Sequence, residues 1–186
     1  MSNTTVKEVV IKLQREVATV VLSNVETLNF SSLGWSVGDA KCLAKALPHC
    51  WRLKSLNVTD NALGRAGAEV LAEAIAANGV LIALDLTQNA IGSDGAAAIA
   101  KALAANRVLT SLSLACNKIG VDGASAIAAA VEANGTLTTL NLDVNKIGPK
   151  GAAALVKALE AGGGVLTTLP ASVTRVRPRS PKLSGC

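Results

Sequence analysis

Few side chains in this sequence belong to the types that perform chemistry, and their spacing limits what they could do. His49 is the single histidine, so any imidazole general base would have to be this residue. It follows Pro48 at the end of a helical stretch, where an exposed or capping imidazole is the simpler reading. Cys42, Cys50, Cys116 and Cys186 are the candidate thiol nucleophiles. They show neither zinc-ligand spacing nor the pattern of a disulfide framework. Cys116 ends an alternating stretch and could be accessible, but no histidine is brought near it. The patterns G-x-x-x-x-G-K-[ST] and H-E-x-x-H are absent. The sequence therefore predicts a protein that is not an enzyme and that uses no cofactor, metal or small-molecule substrate.

What recurs instead is structural. The stretch Leu109-Thr-Ser-Leu112-Ser-Leu114-Ala-Cys-Asn117-Lys-Ile119-Gly120 returns every 28 residues, giving units that start at Val25, Leu53, Leu81, Leu109 and Leu137. The fourth position is always Leu (28, 56, 84, 112, 140), and the sixth reads Phe30, Val58, Leu86, Leu114 and Leu142. The ninth reads Leu33, Asn61, Asn89, Asn117 and Asn145; the twelfth reads Ser36, Gly64, Gly92, Gly120 and Gly148. Only the first unit breaks the Asn and Gly columns. Trp35 falls in an eleventh-position column otherwise filled by Leu and Ile, as core filler.

Each unit changes period partway. Leu81-Ile-Ala-Leu84-Asp-Leu86 alternates and predicts a short strand with Leu84 and Leu86 on one face. The Gly at position twelve suits a turn of positive φ, and the Ala-rich run after it has helical spacing, as at Ala96, Ile99, Ala102 and Leu103. Pro149 stands where the fifth helix would begin, the one place where its missing N–H is harmless. Identical strand-helix units force parallel strands with all helices on one side. Strands stack at about 4.8 Å and helices are about 10 Å across, so the stack must bend with the strands inside. Asn61, Asn89, Asn117 and Asn145 then read as a structural ladder, each amide satisfying turn backbone in neighbouring units.

The columns resemble the leucine-rich repeat pattern L-x-x-L-x-L-x-x-N-x-L, and the 28-residue period with its long Ala-rich half is similar to the ribonuclease-inhibitor-like subclass. The resemblance implies an α/β fold, a right-handed curved solenoid with a parallel sheet on the concave side and helices on the convex side. It also implies protein binding. The functional relatives it suggests are ribonuclease inhibitors, the repeat arrays of NOD-like receptors, and Ran GTPase-activating proteins. The inhibitors are longer and Cys-rich. A fragment of a NOD-like receptor array, or a regulator of a Ran-like small GTPase, are the alternatives to a plain scaffold. Arg65, after Asn61, is the residue to test for GTPase activation by analogy.

The ends depart from the repeat. Residues 1–24 place Val6, Val9, Val10, Leu13, Val17, Val20 and Val21 on one side of a helical period, which predicts a capping helix over the N-terminal flank. Val-rich segments also suit strands. A membrane-surface helix fits less well, since the stretch has few cations and no aromatic residue. The solenoid is expected over residues 25–170, with a partial sixth strand at 166–169 that Pro170 interrupts. Residues 171–186 are polar and Pro-containing, and read as a disordered tail. Arg175, Arg177, Arg179 and Lys182 there account for four of the five excess positive charges. Dispersed as they are, without aromatic neighbours, they make a weak case for nucleic acid or acidic lipid. The C-terminal edge could support self-association, and without a polar cap the chain also reads as a piece of a longer array.

Function is then expected on the concave face, whose side chains point away from the core. The third position holds Thr27, Ser55, Ala83, Ser111 and Thr139; the fifth holds Asn29, Asn57, Asp85, Ser113 and Asn141; the seventh holds Ser31, Thr59, Thr87, Ala115 and Asp143. These groups need no role in stability on this reading. Aromatic residues are only 2% of the sequence, so no hot spot stands out, and contacts at an edge compete with a concave site. Trp51 is either a contact residue or part of the N-terminal cap. Lacking a secretory signal or a long apolar run, the chain is expected to be intracellular, in the cytoplasm.

Overall fold

The computed structural model describes residues 24–161. The capping helix expected over 1–24, the strand at 166–169, the tail at 171–186 and the C-terminal edge open to self-association fall outside them, residue 24 apart. Five strands, β1 (Thr27–Asn29), β2 (Ser55–Asn57), β3 (Ala83–Asp85), β4 (Ser111–Ser113) and β5 (Thr139–Asn141), form one parallel sheet in chain order. They alternate with helices α1 (Val37–Ala46), α2 (Gly64–Ala77), α3 (Gly92–Ala105), α4 (Gly120–Ala133) and α5 (Gly148–Ala161). A 3₁₀ turn, Leu47–His49, extends α1. This is the α/β repeat fold expected from the periodicity. Every strand pairs with the next in the repeat register, so Leu56 lies opposite Leu84 and Leu84 opposite Leu112.

The core is built by columns. Leu56, Leu84, Leu112 and Leu140 from the strands meet Leu71, Ile99, Ile127 and Leu155 from the helices, all buried. In the first unit Phe30 stacks on the buried Trp35, ring centroids 4.4 Å apart, and Leu33, which replaces the ladder Asn, packs half-buried against the same core. Ser36, in the glycine column, caps α1: the Asp39 carboxylate accepts from its N–H at 2.8 Å.

Two columns decide how close the helices come. Ala40, Ala68, Ala96, Ala124 and Ala152 lie buried where successive helices meet. Beside them run Gly67, Gly95, Gly123 and Gly151, where a Cβ has no room: at Gly123 it would stand 2.5 Å from Ile119 Cγ2 and 3.2 Å from Ser93 Cα. Small residues therefore let α3, α4 and α5 each lie against the backbone of the preceding helix, reducing the difference between helix and strand spacing that bends the stack.

A second asparagine column closes the helices. Asn78, Asn106 and Asn134 are buried C-caps. Asn106 Nδ2 donates to Ile75 O and Asn78 O at 2.8 and 2.9 Å, and Asn134 repeats this on Leu103 O and Asn106 O. Their Oδ1 atoms accept from the N–H groups of Leu81, Leu109 and Leu137, which start the next units. Cys50 takes this place in the first unit and donates its thiol to Ala46 O.

Candidate functional site

The turns after the strands are set by backbone conformation. Ser32, Asp60, Gln88, Cys116 and Val144, the eighth residue of each unit, all have φ between +55° and +58°. Such angles are uncommon outside glycine and have to be held by neighbours. The ladder asparagines hold them. Asn117 Nδ2 donates to Leu86 O (2.8 Å) in the preceding unit and to Ala115 O (3.0 Å) in its own, while its Oδ1 accepts from Asn89 N (2.9 Å). Asn145 does the same one unit later, and Asn61 one unit before Asn89.

One joint differs. Ala62 lacks the positive φ of its counterparts Gly34, Ala90, Lys118 and Lys146, and its N–H donates to Trp35 O at 2.8 Å. At that joint the buried Asn89 Oδ1 has no hydrogen-bond partner.

On the concave side the strand register aligns three columns of side chains. The fifth-position column is not idle, contrary to the expectation of no role in stability. Asn29, Asn57, Asp85 and Asn141 each turn Oδ1 back to accept the N–H two residues on, from Ser31, Thr59, Thr87 and Asp143, at 2.8 to 3.0 Å. These are Asx turns, which end each strand by offering the backbone a local acceptor. Ser113 cannot reach so far, and its hydroxyl shares a 2.8 Å hydrogen bond with Thr87 Oγ1 instead. The third-position groups Thr27, Ser55, Ser111 and Thr139 make no side-chain hydrogen bond among the described residues. The residue-type columns show which groups face inward; they do not show which are already engaged.

A polar network at the rim past the strands is absent from the sequence reading. Asp60 accepts from Ser32 Oγ at 2.8 Å and from Gln88 Nε2 at 2.6 Å, tying three units together. Its signal in the sequence is the eighth-position column, where Ser, Asp and Gln follow one another.

The residues considered for chemistry are scattered. His49 is exposed in the 3₁₀ turn. Burial pushes the Cys50 thiol above its ordinary value, while Cys116 is half-buried at the concave rim. Among the described residues no group of His, Cys, Asp and Glu is arranged to hold a metal. Arg65 is exposed, but Glu69 and Asp94 each hold its guanidinium at 2.7 Å, which raises its pKa further, Glu69 contributing most. Trp51 is 60% exposed, with the Arg52 guanidinium 5.9 Å from its ring centroid.

Among the described residues the architecture is a regular array of strand-helix repeats in which Cys116 and Arg65 lie apart from His49 and Cys50. The family described as Leucine Rich repeat matches residues 52–72, 78–100, 105–128 and 133–156. The chain is thus an array of leucine-rich repeats. Among solved structures it is similar to that of Leiomodin-1 Actin-Binding Site 2, at 20% identity and a TM-score of 0.69, covering 83% of this chain and 87% of that one. It is also similar to a tropomodulin C-terminal domain from Caenorhabditis elegans, at 14% identity and a TM-score of 0.66, covering 84% of this chain and 92% of the other. At such identities the likeness is one of fold. A search of curated proteins finds no match. No helix among the described residues is long and apolar enough to cross a membrane.

Proposed function

We propose that this protein is a noncatalytic interaction module that holds another protein against the concave strands of its repeat array. The observation that carries the reading is the third-position column. Thr27, Ser55, Ser111 and Thr139 stand in line through the parallel register, with side chains that carry no hydrogen bond among the described residues. Polar groups kept in register without structural duty are what a partner's backbone and side chains can use. The engaged neighbours Asn57, Asp85, Thr87, Ser113, Asn141 and Asp143, with Thr59, whose buried hydroxyl has no hydrogen-bond partner among the described residues, shape the floor around them.

The similar leiomodin-1 structure is, by its name, an actin-binding site, so actin is the first partner to test. The 28-residue period with a full helix in every described unit supports the ribonuclease-inhibitor-like subclass. The free thiols of Cys50 and Cys116 suit a reducing, intracellular setting. No observation favours a small GTPase, because Arg65 is already paired with two carboxylates.

Titration of purified monomeric actin against the parent and a Ser55→Arg/Ser111→Arg variant, both shown folded by circular dichroism, tests the reading. Saturable binding by the parent that the variant loses supports it. Equal binding by both contradicts a concave site, and binding by neither removes actin as the partner.

A further inference from the structure

The concave face lacks a large aromatic anchor, whereas the opposite rim, where the strands begin, has one. Trp51, just before β2, is 60% exposed and Ile82, just before β3, is 39% exposed. Packing does not require a side chain at the position of Trp51: its counterpart one repeat on is Gly79, where a Cβ would meet nothing within 4 Å. The Arg52 guanidinium stands 5.9 Å from the ring centroid, and Glu26 holds Arg52 at 3.2 Å.

Charge on this rim is one-sided. Lys54 joins Arg52 on Glu26, at 3.3 Å, and Arg107 reaches the C-terminal end of α4, donating to Ala133 O at 3.0 Å. The backbone aligns the residues that lead into successive strands: Ile82 N donates to Lys54 O, and Thr110 N to Ile82 O. Against these three cations, Glu26 is the single carboxylate among the described residues of the rim, 24–26, 49–54, 78–82, 106–110 and 134–138.

We propose that the rim formed by Trp51, Arg52, Lys54, Ile82 and Arg107 is a docking surface for an acidic protein segment that carries an apolar anchor. The anchor packs on Trp51 and Ile82, and the carboxylates meet the cations that Glu26 leaves uncompensated. Trp and Arg are the residue types that most often dominate binding energy when truncated. Three cations fall short of the roughly four to eight that mark a surface for anionic lipid, which favours a protein partner over a membrane.

The inference rests on the reading of the chain as a protein-binding module but places a contact outside the concave face. Its test uses the two tryptophans of the full chain as internal reporter and control, since Trp35 is wholly buried. Indole N–H resonances are followed by NMR, with the Trp51 signal assigned as the one missing from Trp51→Ala. The probes are a short synthetic peptide rich in Glu, Asp and Leu, its Lys- and Arg-containing counterpart, and phosphatidylcholine vesicles with phosphatidylserine. The expected result is a saturable shift of the Trp51 indole with the acidic peptide alone, while Trp35 stays fixed. Arg107→Glu and Ile82→Ser should each weaken that titration by about tenfold. The inference is overturned if Trp51 does not move, if the basic peptide moves it equally, or if only the vesicles do. Ser55→Arg/Ser111→Arg separates the two sites: an unchanged peptide titration keeps the rim independent of the concave face, and its loss overturns the rim.

Discussion

Asn117 and Asn145 are joined directly: the backbone N–H of Asn117 donates to Asn145 Oδ1 at 2.7 Å. The next repeat thereby fixes the turn of the one before it, and the same amide group reaches back to Leu114 O at 2.7 Å. Stability should therefore pass from unit to unit through side-chain amides as well as through core burial.

Replacing Asn117 with Ala strips partners from Leu86 O, Ala115 O and Asn89 N at once, and should cost about 3 kcal/mol. Asn89→Ala should cost about 1 kcal/mol less, because the Asn89 Oδ1 has no partner to lose. Urea denaturation of both variants checks the order; an Asn89 variant as unstable as the Asn117 variant would contradict it.

Gly123→Ala should destabilise by about 1–3 kcal/mol although alanine favours helix, since the new Cβ overpacks against Ile119 and the Ser93 backbone. Gly79→Ala adds a methyl group to open space and should stay within about 0.5 kcal/mol of the parent. Thermal unfolding of the pair distinguishes close approach from a general intolerance of glycine replacement.

Asp85→Asn keeps an Oδ1 acceptor for the Thr87 N–H and should leave stability nearly unchanged, whereas Asp85→Ala loses the Asx turn and should cost about 1 kcal/mol. If the two variants unfold alike, the fifth-position column is not structural.

Lys54, and then Arg52, lower the Glu26 carboxyl below its ordinary range in the folded chain. A depressed acid contributes stability that is fully present above its unfolded value and is lost as pH falls through the folded one. Glu26→Gln should therefore flatten the acid limb of the stability curve and leave the limb above neutrality unchanged. The effect should also shrink in high salt, because all three partners are exposed. A steeper acid limb in the variant would reverse the sign.

Much of the fold is legible in the residues themselves. Leucine at the fourth position of every unit and the 28-residue step determine strand faces, parallel order and register, because a slip would expose a whole column of the core. The glycines at position twelve predict left-handed turns, and Gly64, Gly92, Gly120 and Gly148 have φ of +61° to +70°. The burial of the asparagine C-caps is not legible, because a helix-terminal Asn reads as a solvated stop signal until the next repeat buries it. The Gly67, Gly95, Gly123 and Gly151 column is hidden for a related reason: besides the residue four positions earlier, each glycine is crowded by an alanine of the preceding repeat, Ala40, Ala68, Ala96 or Ala124.

The candidate site was legible only in outline. Alternation gives the inward-facing columns, but the Asx turns of Asn57, Asp85 and Asn141 depend on backbone angles at the strand ends. That difference decides which positions a concave-face variant can change. Arginine at those positions would remove a structural hydrogen bond together with a contact residue, whereas Ser55 and Ser111 carry no such bond among the described residues.

Quantitative capture from native lysate, with the folded parent and the folded Ser55→Arg/Ser111→Arg variant as baits, tests the concave interaction surface most directly. The expected result is a small set of proteins held by the parent and lost from the variant. Identical sets on both baits would contradict recognition by the concave strands.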